Sequence, residues 1–184
     1  LQGQSPYSAS KIGADKLAES YFCAYDLPVV TVRPFNTYGP RQSARAVIPT
    51  IITQALTKGE IILGNLAPRR DLTYVSDIVD GFLKAGQAPD VEGEVFNLGS
   101  GSEISIGELA EMIIRLVGRE AKIVVDDDRK RPQNSEVQRL LSDSSLARER
   151  LVWEPKMSLE DGLRTTIAWI SDNMQLYKPG DYQV

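Results

Sequence analysis

Tyr7 and Lys11 lie four residues apart in Ser5-Pro6-Tyr7-Ser8-Ala9-Ser10-Lys11. On a helix that spacing stacks both side chains on one face. A phenol beside a fixed ammonium is an acid–base device. The positive charge favours phenolate and lowers a tyrosine pKa from its usual value of about 10. Such a base can take a proton from a sugar or alcohol hydroxyl while hydride leaves the same carbon. The bland alternative is a lysine stem packed on a ring. Ser5-Pro6 supplies an N-cap and a proline for the first helical position. Ser8, Ala9, Ser10, Gly13 and Ala14 keep the surroundings small, so another surface can approach.

Elements that could hold such a pair alternate along the chain. The apolar spacing predicts a helix from Tyr7 to about Tyr25, closed by Asp26-Leu27-Pro28. Val29–Arg33 reads as a buried parallel strand stopped by Pro34. Phe35–Ala44 is then a loop rich in Asn, Gly and Pro. Further helices are expected over Val47–Lys58, Ile78–Ala88 (capped by Ser76-Asp77), Ser105–Val117, Ser144–Arg150 and Ser158–Asn173. Ser105 and Glu108 have capping-box spacing. Strands are expected at Glu60–Leu63, Leu72–Val75, Glu94–Leu98 and Lys122–Val125. Asp126–Leu140 reads as a long loop, and the tail from Tyr177 to Tyr182 as extended. Alternating strands and helices mean α/β with parallel pairing. The strands are too few for a complete doubly wound sheet, so further strands are expected upstream of Leu1.

Composition narrows the chemistry. The 184 residues are 42% hydrophobic and 25% charged, as in ordinary soluble domains. A net charge of −4 gives no reason to expect nucleic acid or an anionic membrane as partner. The basic clusters Arg69-Arg70 and Arg129-Lys130-Arg131 point instead to a small anionic ligand. With no histidine, Ser-His-Asp and Cys-His catalysis are excluded, and no zinc site is expected. Cys23 is the only cysteine, so no internal disulfide forms; it is expected to pack on the first helix. No apolar run reaches the roughly 18 residues of a membrane span. Asp126-Asp127-Asp128 lacks EF-hand spacing and reads as a solvated run. Gly99-Ser100-Gly101 lacks the third glycine of a dinucleotide loop and reads as a tight turn.

Arginine pairs bidentately with phosphate, which makes Arg69-Arg70 before a strand of interest; the bland reading is a surface ion pair with Asp71. Asn36, past the carboxyl end of a strand, offers a donor and an acceptor where open α/β sheets bind ligands.

Tyr7-x-x-x-Lys11, Arg33-Pro34-Phe35-Asn36-x-Tyr38-Gly39-Pro40, Arg70-Asp71-x-x-Tyr74-Val75-x-Asp77, Asn97-Leu98-Gly99-Ser100-Gly101 and Trp153-Glu154-Pro155-Lys156 occur in this order. Together they resemble the extended short-chain dehydrogenases/reductases, the NAD-dependent nucleotide-sugar epimerases and dehydratases. Pro6–Lys11 and Ser43–Pro49 resemble most the 4,6-dehydratases acting on N-acetylglucosamine nucleotides in legionaminic acid synthesis. The resemblance implies the C-terminal portion of a Rossmann-type doubly wound sheet plus a small mixed α/β substrate region. Residues 1–46 would end the NAD-binding domain and 47–184 would mainly bind sugar nucleotide, with 77–101 returning to the Rossmann sheet. Tyr7 would be the C4 oxidation base and Lys11 the nicotinamide-ribose ligand. Pro34 and Asn36 would touch the cofactor, and Asn36, Val47, Ile48, Pro49, Arg70 and Arg131 the substrate, a UDP-sugar. The glycine-rich loop and the Ser/Thr-Asp-Glu segment are absent here, so this chain alone is expected to be inactive and to bind NAD poorly. A 4-epimerase and a non-catalytic sugar-nucleotide-binding or assembly fragment are the alternatives. The resemblance further implies a cytoplasmic homodimer in the full-length protein, without nucleic acid or membrane partners.

Overall fold

A computed structural model describes residues 3, 5–129 and 136–177. The first helix, α1 (Pro6–Tyr25), starts as its sequence requires. Ser5 Oγ accepts from the Ser8 amide at 3.1 Å, and Ser8 Oγ accepts from the Ser5 amide at 2.9 Å. It ends on Asp26 in the left-handed conformation. After it, β1 (Thr31–Pro34) leads into β2 (Asn36–Tyr38), a strand inside the expected loop. Pro34 closes β1 from within rather than stopping it beforehand. Then come α2 (Val47–Thr57), β3 (Glu60–Leu63), β4 (Arg69–Arg70) and β5 (Leu72–Tyr74). Helix α3 (Val75–Gln87) begins one turn earlier than the Ser76-Asp77 cap predicted, because β5 runs straight into it with Tyr74 as N-cap.

The second half holds β6 (Val95–Leu98), β7 (Ile104–Ser105), α4 (Ile106–Val117), β8 (Lys122–Val125), β9 (Arg139–Leu140), α5 (Ser145–Leu151) and α6 (Leu159–Asp172). The expected capping box of α4 is present, and Gly118 ends that helix in the left-handed region. The expected long loop carries a 3-10 turn at Asp127–Arg129 and then β9.

Pairing is mostly parallel. β1 pairs with β6, Arg33 opposite Asn97. β2 pairs with β5, Asn36 opposite Leu72. β3 pairs with β8. β4 is antiparallel to β7 and parallel to β9. Parallel partners need crossover helices, which α2, α3 and α4 supply.

Two apolar cores result. One gathers Ile48, Ile51, Ile52, Ile61, Leu109, Ile113, Leu163 and Ile170 under α2, α4 and α6. The other packs Phe96 and Leu98 of β6 against Ile78, Leu151 and Trp153. The fully buried Trp153 donates its indole N–H to the Asp77 carbonyl at 2.8 Å.

A buried carboxylate joins these parts. Asp71, between β4 and β5, is fully buried. It accepts from the Ser100 amide and hydroxyl at 2.7 and 2.6 Å, the Gly101 amide at 2.9 Å, and the Ser142 amide and hydroxyl at 3.1 and 2.6 Å. Burial alone pushes a carboxyl pKa up; the donors from Ser100 and Ser142 more than offset that and hold Asp71 below the ordinary carboxylate value. No arginine pairs with it among the described residues, so the expected Asp71 surface ion pair is corrected to a buried acceptor. Gly99 is confined by the same knot. A Cβ there would stand 2.2 Å from Ser142 Oγ and 2.9 Å from Asp71 Oδ2.

Two stability predictions follow from this packing. Gly162 faces Tyr38, whose hydroxyl would lie 2.2 Å from an added Cβ, so Gly162→Ala should cost about 2 kcal/mol; an unchanged urea midpoint would refute it. Asp71→Asn should cost at least about 3 kcal/mol, since it leaves buried donors facing an amide. For the wild type the sign is set by the lowered pKa. The Asp71 contribution is complete above the ordinary carboxylate value and is lost as pH falls through the lower folded value. Acid unfolding of Asp71→Asn should therefore be shallower than wild type; parallel pH curves would refute this.

Candidate active site and sugar-nucleotide cleft

Three local features build the site. The first is the start of α1. Lys11 Nζ lies 5.6 Å from the centroid of the Tyr7 ring, so the predicted stacking is present. Both side chains are open to solvent, Tyr7 at 71%. Ser8, Ile12, Asp15, Ala18 and Phe22 form the half-buried stripe of α1, and none of its residues is fully buried. Arg33 of β1 fixes its orientation, placing Nε 2.8 Å and Nη2 2.7 Å from Asp15 Oδ2. Cys23 is exposed rather than packed on the helix as expected.

The second feature is a cleft of about 430 Å³ between the start of β2, the carboxyl end of β3 and the first turn of α2. Asn36, Thr37 and Gln42 line one part; Arg45, Ala46, Val47 and Ile48 come from the start of α2; Ile62–Asn65, Arg70 and Arg129 close the other wall. Ala46 caps α2 without a side-chain bond, so the first-turn amides have no capping side chain. Gln54 braces the far wall by accepting from the Ile62 amide at 2.9 Å.

Electrostatics form the third feature. The lining carries three guanidinium groups, Arg45, Arg70 and Arg129, against one carboxylate, Glu136, a net of +2. Arg70 donates to the Val137 carbonyl at 2.6 Å and pairs with Glu136 at 3.1 Å. Arg129 pairs with Asp126 at 3.2 Å and donates to the Ile62 carbonyl at 3.1 Å. The Arg45 side chain has no ion pair among the described residues and is exposed. Arg69 points elsewhere, to Glu103 and Glu108, each at 3.2 Å.

Of the predicted substrate residues, Asn36, Val47, Ile48 and Arg70 converge on this cleft. Pro49 does not line it; it is buried in the first turn of α2. Arg131 lies outside the described residues. Pro34, Tyr7 and Lys11 stand on β1 and α1, outside the cleft lining. Sequence reasoning missed Gln42 and Arg45 as individual contributors. Their only signal was the Pro40–Pro49 stretch, whose loop path brings them back over β2. Arg129 was flagged solely as part of a basic cluster.

Parallel strands joined by crossover helices, with a Tyr-x-x-x-Lys helix against the first, define a Rossmann-type α/β protein. The family model of GDP-mannose 4,6 dehydratase matches residues 1–166. A UDP-glucuronate 4-epimerase of Thermodesulfobacterium geofontis is 36% identical over 95% of this chain and 53% of its own length. A dTDP-D-glucose 4,6-dehydratase of Mus musculus is 31% identical over 96% of the chain and 50% of its own. The crystal structure of dTDP-glucose 4,6-dehydratase from Bacillus anthracis in complex with NAD superposes with a TM-score of 0.83 at 32% identity, covering 95% of this chain and 55% of that one. The chain belongs to the nucleotide-sugar dehydratase and epimerase family of extended short-chain dehydrogenases/reductases. It spans about half the length of the curated relatives it matches.

The Asp15–Arg33 pair is part-exposed and worth roughly 1 kcal/mol. Asp15→Asn should speed amide exchange across α1 about fivefold and leave α2 and α4 unchanged. Equal protection of α1 in both proteins would show that the ion pair does not hold the helix.

Proposed function

We propose that this chain carries the oxidation base and the sugar-nucleotide cleft of an NAD-dependent nucleotide-sugar 4,6-dehydratase. One observation carries the reading: a cleft of net charge +2 at parallel strand ends, lined by Asn36, Val47, Ile48 and Arg70. A nucleoside diphosphate ester brings two negative charges, and arginines match phosphate geometry. The apolar wall of Val47, Ile48 and Ile62 suits the flat face of a base. The match of residues 1–166 to the GDP-mannose 4,6 dehydratase model supports the dehydratase outcome. The likeness to a UDP-glucuronate 4-epimerase supports a 4-epimerase as the second reading, and both share the first step.

In that step Tyr7 takes the proton of the sugar C4 hydroxyl, and the Lys11 ammonium beside its ring stabilises the charge that develops. NAD, when bound, supplies the hydride acceptor and donor. The donor set fits it: an ammonium and a phenol open together at one helix end suit ribose hydroxyls, with Pro34 and Asn36 at the adjoining strand edge. Arg70 and Arg45 hold the diphosphate, which fixes the sugar relative to Tyr7. For the dehydratase, loss of water across C5 and C6 needs an acid and a base that this chain's pair does not supply. We assign α1 and β1, with β6 returning beside β1, to the cofactor half of the complete protein, and the cleft to its substrate half. No described helix is long and apolar enough to cross a membrane, in keeping with a cytoplasmic enzyme. Leu17, Tyr21 and Tyr25 on the outer face of α1 are exposed and offer a surface for a homodimer.

Calorimetric titration tests the cleft. The chain should bind UDP- or dTDP-hexose without NAD, and Arg70→Ala should weaken binding ten- to a hundredfold. Binding unaffected by Arg70→Ala would remove the diphosphate assignment. In the complete protein Tyr7→Phe should lower kcat at least a hundredfold with little change in KM.

A further inference from the structure

On the sugar-nucleotide reading of the cleft, we infer that Asn65 is a specificity-determining residue. Its side-chain Nδ2 donates a hydrogen bond to a keto oxygen on the base of a bound sugar nucleotide, and so favours uracil or thymine over cytosine. Asn65 follows β3 and Gly64, is half-buried, and lines the cleft.

The side-chain amide is oriented by its own turn. Its Oδ1 accepts from the Ala67 amide at 3.1 Å. Turning the group over would set an N–H against that N–H, so the bond decides which atom is oxygen and which is nitrogen. The nitrogen carries two donors. Neither has a partner among the described residues, and Nδ2 is not sealed from solvent, since no atom of Asn65 is both buried and unpaired. A ligand in the cleft can therefore meet it.

Much of that wall has its acceptors occupied. The Ile62 carbonyl accepts from Gln54 Nε2 at 3.4 Å and from Arg129 Nη1 at 3.1 Å. The Leu63 carbonyl accepts from the Asp126 amide at 2.8 Å. With Asn65 Oδ1 also taken, the side-chain polar atom left over is a donor, and the ligand edge that meets it must accept. Uracil and thymine carry a keto oxygen at C4, where cytosine carries an amino group. The oxygen accepts from Asn65. The amino group would set two donors face to face and leave both unpaired.

Position separates base from sugar. Tyr7 is on α1, which the Asp15–Arg33 pair ties to β1. β1 leads into β2, whose Asn36 and Thr37 line one part of the cleft. A sugar losing its proton to Tyr7 lies toward that part. β3 pairs with β8 in another sheet, and its end forms the other wall. A diphosphate held by Arg70 and Arg45 leaves the base for that wall, with Ile62 meeting its face and Asn65 its edge.

The test compares UDP-glucose with CDP-glucose by calorimetry on wild type, Asn65→Asp and Asn65→Ala. The two ligands share sugar and diphosphate, so the added charge of the aspartate cancels in their affinity ratio. Asn65→Asp keeps an oxygen for the Ala67 amide and replaces the donor by an acceptor; Asn65→Ala removes both. Wild type should bind UDP-glucose about tenfold more tightly than CDP-glucose. Asn65→Ala should narrow that ratio to within about threefold, and Asn65→Asp should abolish or reverse it. Binding of CDP-glucose also reports an intact fold. A wild type without preference, or the wild-type ratio in either variant, would overturn the role of Asn65 while leaving the cleft assignment standing. A wild-type chain that binds neither ligand would overturn the cleft assignment and this inference with it.

Discussion

Asp71 is the constraint on which the site depends. One carboxylate, wholly inside the protein, ends the backbone and hydroxyl valences of two turns that are distant in sequence, Ser100-Gly101 and Ser142. Through the first it holds the end of β6, and hence β1. Through the second it holds β9, and hence β4. Its own chain continues into β5, which sets the register of Asn36 opposite Leu72. A charge can be kept there because donors surround it, which is what makes a buried carboxylate tolerable. Arg70, next along an extended backbone, turns the other way and reaches the cleft.

Elements whose causes are local were legible. The starts of α1 and α4 were readable because Ser5-Pro6 and the Ser105–Glu108 pair are complete in sequence. β3 and β8 were readable as short β-branched runs. The four strands β2, β4, β7 and β9 were not, since two or three residues carry no period. They exist because distant partners bring hydrogen-bonding edges to them, as Gln138 and Leu140 do for Arg69 and Asp71. The start of α3 slipped because Ser76-Asp77 looks like a cap, whereas burial of Tyr74 and Asp77 lets the helix begin one turn sooner.

The same division holds for the site. Asn36, Val47, Ile48 and Arg70, quoted for their motifs, all line the cleft. Pro49, buried in the first turn of α2, is not among the residues lining the cleft. Gln42 and Arg45 were missed because a loop path, with Arg41 in the left-handed conformation, decides what they face. Tyr38 shows the converse. It reads as part of a motif, yet its hydroxyl donates to the Leu159 carbonyl at 3.1 Å, and burial pushes its pKa well above the usual tyrosine value. It is a packing residue within a functional signature.

Helix α1 has no buried residue and touches the rest of the chain through one stripe, while the cleft is walled entirely by later segments. The phenol and the ligand-reading surface thus rest on separate foundations. Such an arrangement lets the loop between β2 and α2, and with it the shape of the cleft, change without disturbing the Tyr7–Lys11 pair.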